Sequence, residues 1–114
     1  MNSYGVLTTQ EEVQLLGGDD FETLREEGTF RLTLRFRSWY KKAYSMGLIC
    51  HFEDEHGRKY NLYCFRHTRN GVEMYNPKRC LIDFEKVDDG TVWECTMELN
   101  KKGNAEWVDA ELVK

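Results

Sequence analysis

The stretch Phe30–Arg37, FRLTLRFR, decides the fold of this chain, because apolar and polar side chains alternate along it without a break. Successive side chains of a β-strand point to opposite faces of a sheet, so this period of two predicts a strand with one face in the core. The other face would carry Arg31, Arg35 and Arg37. The sequence therefore predicts an amphipathic strand that starts a sheet in this region.

Further strands follow toward the C terminus. Runs rich in apolar, β-branched and aromatic residues predict strands at 46–52, 60–67, 72–75 and 105–113. The dipeptide at 70–71, Asn-Gly, predicts a two-residue hairpin turn, since both residues accept the positive φ of a type I′ turn. A parallel α/β layout is not expected, because no long helix separates the strands.

A second hairpin is predicted around the Asp-Gly dipeptide at 89–90. It would pair residues 80–87 with residues 91–99 and place Phe84 opposite Cys95, so that the apolar side chains share one face. The outer face of this hairpin would carry four carboxylates: Asp83, Glu85, Glu94 and Glu98.

The residues before the sheet predict one or two short helices. Residues 9–12, Thr-Gln-Glu-Glu, have the form of a capping box, and the glycines at 17–18 end the helix. The aspartates at 19–20 predict a second helix start. The expected fold is mainly β (α+β), an antiparallel meander of about seven strands that forms a curled sheet or a small barrel behind these helices.

Charge divides the chain into three blocks. An acidic helical head at 1–28 has seven acids and one base, residues 29–80 have eleven bases and four acids, and residues 81–114 have nine acids and four bases. The length suits a single domain over 1–114, with the β meander at 29–114. The net charge of −4 therefore conceals either two opposed surfaces or one internally neutralised surface.

The basic block contains a segment in which cations and aromatic rings are mixed. Its candidate residues for binding single-stranded RNA or DNA are Arg31, Arg35, Arg37, Trp39, Tyr40, Lys41 and Lys42. Nucleic-acid surfaces combine these residue types, because cations neutralise phosphates and flat rings stack on bases. The alternative is that the arginines pair with carboxylates of a neighbouring strand.

The four predicted carboxylates of the second hairpin form the other candidate surface. Such a face is able to occupy the basic groove of a protein that handles nucleic acid, and small acidic inhibitors encoded by phages and mobile elements share this size and charge. The similarity is one of profile, with no motif behind it. We therefore expect a non-catalytic binding module that engages a protein partner by charged-surface complementarity, with single-stranded nucleic-acid binding as the alternative.

Other chemistry receives little support from the sequence. It has no nucleophile elbow, glycine-rich phosphate loop or close metal-ligand pair, so we expect no catalytic residue, metal or cofactor. Four cysteines within apolar runs predict reduced core thiols: Cys50, Cys64, Cys80 and Cys95. No apolar run approaches the ~20 residues of a membrane span and no export signal is present, so a cytoplasmic protein that avoids membranes is expected. A homodimer through a sheet edge stays open.

Overall fold

The computed structural model describes residues 5–41 and 43–114, and their elements are mostly β-strands. The elements in chain order are α1 (Gln10–Leu15), β1 (Glu22–Thr23), β2 (Gly28–Lys41), β3 (Met46–Glu53), β4 (Lys59–Tyr63), β5 (Phe65–Arg69), β6 (Val72–Asn76), β7 (Val92–Leu99) and β8 (Ala105–Leu112). Two 3₁₀ turns at Gly18–Asp20 and Phe84–Lys86 complete the list. No helix among these residues has the length and apolar character of a membrane span.

Six strands form one curled, mixed sheet in the order β1-β4-β3-β2-β7-β8, and β5 with β6 forms a separate hairpin. The prediction of a mainly β chain with a curled sheet is confirmed. The simple antiparallel meander is wrong in detail, because β1 runs parallel to β4 and β2 lies between β3 and β7. The Asn-Gly turn is confirmed, with positive φ at Asn70 and Gly71.

The long strand β2 changes face in its middle. Its register against β3 shifts between Leu34 and Phe36, which marks a β-bulge. Before the bulge Leu32 and Leu34 point into the core, and after it Arg37 is completely buried. An extra residue in one strand reverses the faces of all residues beyond it. The prediction that Arg37 shares the outward face of Arg31 and Arg35 is therefore wrong.

The segment predicted as a strand at 80–87 is an irregular loop with a 3₁₀ turn at Phe84–Lys86. A carboxylate oxygen of Asp83 accepts the backbone N–H groups of Tyr75 and Glu85, both at 3.2 Å. Such side-chain to backbone bonds compete with a strand ladder. Strand β7 pairs instead with β2 and β8, so the register that placed Phe84 opposite Cys95 is wrong.

The N-terminal residues cross the sheet from one strand to another, and we call residues 7–24 the strap. At its start Leu7 forms a parallel bridge with Ser38, with its N–H donating to the Arg37 carbonyl at 3.0 Å. At its end the Leu24 N–H donates to the Asn61 carbonyl at 3.2 Å. Only one α-helix lies in this region, since the predicted second helix start is a 3₁₀ turn followed directly by β1.

The concave side of the sheet holds the core. Edge-on aromatic contacts join Phe52 and Phe84 to Trp107, with ring centroids 5.6 and 4.7 Å apart. The four cysteines are buried and free, as the sequence predicts. Burial raises the pKa of the Cys64 and Cys95 thiols well above its usual value, so both stay protonated and chemically quiet.

The outer edge of β8 is occupied by a neighbouring loop of the same chain. The carbonyls of Trp107 and Val108 accept the backbone N–H groups of Lys78 at 3.0 Å and Arg79 at 2.8 Å. These bonds satisfy carbonyl groups that a terminal strand would otherwise present to solvent.

Candidate functional site

The structure separates the four carboxylates of the predicted acidic hairpin. Glu94 and Glu98 lie on β7, where alternation with the buried Trp93, Cys95 and Met97 places them on the outer face. Asp83 and Glu85 lie in the loop before β7. The prediction that all four share one strand face is therefore wrong, and only Glu94 and Glu98 remain together.

A different set of carboxylates joins Glu94 and Glu98. Strand β8 pairs with β7 so that Glu111 lies opposite Glu94, Asp109 opposite Thr96, and Glu106 opposite Glu98. Directly paired residues of antiparallel strands project to the same face. We call this set the acidic face, and it consists of Glu94, Glu98, Glu106, Asp109 and Glu111.

The sequence predicts β8 as a strand but does not indicate that its acids belong to the site. Their positions depend on a bulge, since the pairing shifts between Thr96 and Met97. Strict alternation would place Glu111 and Asp109 on one face and Glu106 on the other. The bulge brings all three to the outer face, and no local sequence signal indicates it.

One end of the acidic face is held by two cations. Arg79 donates two hydrogen bonds to the carboxylate of Glu98, at 3.1 and 2.6 Å, and Lys78 pairs with Glu106 at 3.1 Å. The hydrogen bonds from Arg79 lower the pKa of Glu98, and the reciprocal bonds raise the pKa of Arg79. Glu98 therefore stays ionised, and the charges of Glu98 and Glu106 are both balanced by a neighbouring base.

The other end of the acidic face carries more negative charge. Glu94 lies between Arg31 on β2 and Glu111 on β8, so two like charges are direct cross-strand neighbours. Asp109 and Glu111 are exposed. An open groove of about 610 Å³ lies beside this pair and is lined by Glu94, Glu111, Leu112, Val113 and Lys114. This end therefore offers carboxylates to an incoming cation.

The basic block is largely neutralised within the chain. Six of its bases hold a carboxylate partner among the residues that the structure describes: Arg35 with Glu53, Arg37 with Asp89, Arg58 with Asp54, Arg66 with Glu73, Lys78 with Glu106, and Arg79 with Glu98. Most of these pairs are exposed and contribute little to stability. They do reduce the positive potential available to a nucleic acid.

Arg37 forms a buried centre that the sequence did not reveal. Its guanidinium donates to the carbonyls of Phe84 at 3.1 Å and Glu85 at 2.5 Å, and its Nε lies 3.4 Å from a carboxylate oxygen of Asp89. Burial raises the pKa of Asp89, and the nearby Arg37 opposes that rise. This arginine fastens the loop before β7 to β2, so its role is structural.

The aromatic rings of the basic segment pack against other rings of the same chain, so they are not fully available to stack on bases. The Trp39 ring packs edge-on against Tyr75 at 5.0 Å, and Tyr40 packs edge-on against Tyr63 at 5.5 Å. Lys41 is exposed at the end of β2, and Lys42 lies outside the described residues. Among the exposed large side chains is Tyr44, which is fully accessible in the loop before β3.

The described residues contain no group of three or more side chains suited to hold a metal ion. Comparisons with protein-family models, with curated proteins and with solved structures find no match. The proposals that follow therefore stand on the geometry of this chain.

Proposed function

We propose that this protein is a non-catalytic binding module whose acidic face engages a basic surface of a protein partner. The observation that carries the proposal is the alignment of carboxylates from β7 and β8 on one exposed face. This face replaces the predicted hairpin surface, and it keeps Glu94 and Glu98 as members.

The arrangement of the acidic face suits recognition of an array of cations. Its carboxylates occupy three cross-strand rows, with Glu94 and Glu111 in the first row and Glu98 with Glu106 in the last. Rows two residues apart on a strand are separated by about 7 Å, because each residue advances ~3.3 Å. A rigid anionic ladder of this kind is complementary to a groove that evolved for a polyanion, so the favoured partner is a protein that handles nucleic acid.

The mechanism is electrostatic steering followed by docking. Complementary charge raises the association rate more than it strengthens the final complex, and salt suppresses that rate. The end of the face at Asp109 and Glu111 would make first contact, because both side chains are exposed and neither forms an ion pair with a described residue. Binding would then block or modulate the partner by occupying its groove.

The test compares two variants with the same change in charge. Asp109→Lys with Glu111→Lys reverses the exposed end of the acidic face, whereas Glu26→Lys with Glu27→Lys reverses two exposed acids outside it. Partners captured on the wild-type protein are identified, purified and measured for affinity to each variant over a range of salt concentrations.

We expect the first variant to lose binding at least tenfold and the second to bind as wild type does. The purified partner should also release a bound oligonucleotide when the wild-type protein is added. An equal loss of affinity in both variants would mean that the interaction depends only on net charge. Unchanged affinity in both variants would mean that the acidic face is not part of the interface.

A second candidate, single-stranded nucleic acid at the β2–β3 loop, rests on Tyr44 and Lys41, which are both exposed and lie close together in the sequence. A free ring next to a cation provides one stacking and one phosphate contact. Fluorescence anisotropy with short labelled RNA and DNA tests this candidate. Salt-sensitive binding that Tyr44→Ala abolishes would favour it over the acidic face, and its absence at low salt would eliminate it.

A further inference from the structure

A buried histidine lies where the strap meets the sheet. His51 on β3 is only 3 % exposed, and its Nε2 is 2.7 Å from the hydroxyl oxygen of Ser38, which is equally buried. Its ring stacks on Phe36 of β2 with centroids 4.2 Å apart. The Nδ1 atom of His51 is buried without a hydrogen-bond partner. A protonated ring would carry its charge out of water into a site bordered by two phenyl rings.

The strap forms one side of the His51 site. The Phe21 ring of the strap contacts the His51 ring edge-on at 5.2 Å and the Phe36 ring at 5.4 Å. Phe21, Phe36 and Ser38 are themselves buried, so the strap and β2 both contribute to the burial of His51. The strap is joined to the sheet by short pairings at its two ends, a single bridge at Leu7 and the two-residue strand β1.

We propose that the strap is a pH-released cover, and that protonation of His51 drives its release from the outer face of β2, β3 and β4. The cation gains access to water when Phe21 lifts away, so the open form binds a proton more readily than the closed form. Acidification therefore shifts the population toward the open form.

The charged groups around His51 do not form an ion pair with it among the described residues. The groove beside Phe21 and Phe36 is lined by Arg35 of β2, Glu53 of β3 and Lys59 of β4. Arg35 and Glu53 pair with each other at 3.6 Å, and the Lys59 ammonium lies 5.9 Å from the Phe21 ring centroid. On the strap, Asp20 and Glu22 flank Phe21 and are exposed to solvent.

The direction of the effect follows from the titration of His51. Burial lowers its pKa from 6.5 to about 4, and the neighbouring Asn61 side chain opposes the shift in part. The His51 imidazole has a lower pKa in the closed form than in the open form, so the open form binds a proton at a higher pH. The closed form therefore loses stability as the pH falls from 6.5 toward 4. With these two pKa values, the equilibrium constant for opening is about thirtyfold larger at pH 5 than at pH 7.5.

Release would uncover an aromatic and polar surface that is otherwise hidden. Phe36, Ser38 and His51 lie on that face, together with Ile49 and Tyr63 of the neighbouring strands. The release would act apart from the acidic face, which lies on β7 and β8. A partner bound at the acidic face would therefore stay bound while the strap opens.

Amide hydrogen exchange resolved by residue tests the proposal on the full chain at pH 7.5 and pH 5.0, with correction for intrinsic exchange. The reporters are the Leu7 and Leu24 amides, whose hydrogen bonds tie the strap to β2 and β4. We expect their protection to fall about thirtyfold at pH 5.0, while amides of β7 and β8 keep theirs.

Variants of three histidines complete the experiment. His51→Gln keeps a neutral polar side chain and should make strap protection independent of pH, whereas His56→Gln, at an exposed turn, should behave as wild type does. If His51→Gln does not fold, the His51 ring is titrated by NMR in a His56→Gln, His67→Gln double variant. The opening midpoint should coincide with that titration.

Three results would overturn the proposal. The first is strap protection that is equal at both pH values. The second is a parallel loss of protection in β7 and β8, which would mean global unfolding. The third is pH dependence that persists in His51→Gln or an opening midpoint that differs from the His51 titration.

Discussion

The two halves of β2 behave differently although their sequences look alike. At the bulge itself, Arg35 projects outward with 57 % of its side chain exposed and pairs with Glu53. After the bulge, Arg37 has no exposed side-chain surface and binds a loop that is far away in sequence. Two arginines separated by one residue thus have a solvent role and a core role.

The difference shows that alternation predicts a strand but not its faces beyond a bulge. The FRLTLRFR pattern continues unbroken across residue 35, and nothing in it distinguishes Arg35 from Arg37. The distinguishing contacts come from the carbonyls of Phe84 and Glu85, which reach Arg37 only in the folded chain. Tertiary partners therefore decide where the bulge is placed.

The largest effect should come from removing the buried guanidinium. Arg37→Met keeps side-chain volume but leaves Asp89 and two carbonyls without their cation. A broken buried pair costs about 3 to 5 kcal/mol, so the free energy of unfolding in urea should fall by that amount.

Arg35→Met is the matched control, since it deletes an exposed ion pair one residue before Phe36. Exposed pairs contribute ~0 to 1 kcal/mol, so this variant should unfold nearly as wild type does. Similar losses in the two variants would contradict the assignment of a solvent role to Arg35 and a core role to Arg37.

A smaller effect is expected at the far end of β2. Gly47 lies opposite Tyr40, and a Cβ atom there would collide with the Tyr40 ring. Gly47→Ala should displace that ring from Tyr63 and destabilise the protein by about 1 to 3 kcal/mol, as overpacking does. Thermal unfolding of Gly47→Ala, Tyr40→Ala and the double variant measures it, and strictly additive losses would show that the two sites do not interact.

The smallest effect has the opposite sign and concerns Glu94 of β7, the strand that pairs with the first half of β2. Glu111→Lys replaces a like-charge neighbour of Glu94 by an opposite charge, which should stabilise the fold by about 0.2 to 1 kcal/mol. Glu106→Lys should destabilise it slightly, because it breaks the pair with Lys78. Urea unfolding of both variants gives the signs, and a destabilised Glu111→Lys variant would mean that Glu94 and Glu111 do not repel each other.

The parts of the fold that the sequence predicts correctly are those with local causes. The hairpin at Asn70-Gly71 depends on two residues that accept positive φ, and β8 is indicated by apolar residues such as Trp107 and Val108. In the loop before β7, apolar residues at every second position, Cys80, Ile82 and Phe84, predict a strand. The prediction is wrong, and Ile82 is exposed in the fold. Hydrogen bonds of Asp83 and Arg37 to residues distant in sequence hold that segment in a loop, and the local sequence pattern does not predict them.

The candidate site was predictable only in part for the same reason. Glu94 and Glu98 follow from alternation along β7, whereas Glu111 joins them through a bulge in the β7–β8 pairing. The strap is similarly non-local, since Leu7 and Ser38 are brought together by a parallel bridge. Sequence patterns thus found the strands and missed the contacts that assign their faces.

The covered edge of β8 has a consequence for how this protein behaves at high concentration. An uncovered terminal strand is a template for joining sheets from separate molecules into fibrils. Here the backbone of Lys78 and Arg79 occupies the middle of that edge, and their charged side chains would meet any approaching strand. The loop thus acts as a gatekeeper against aggregation, and variants that shorten it should form fibrils sooner than variants that alter the acidic face.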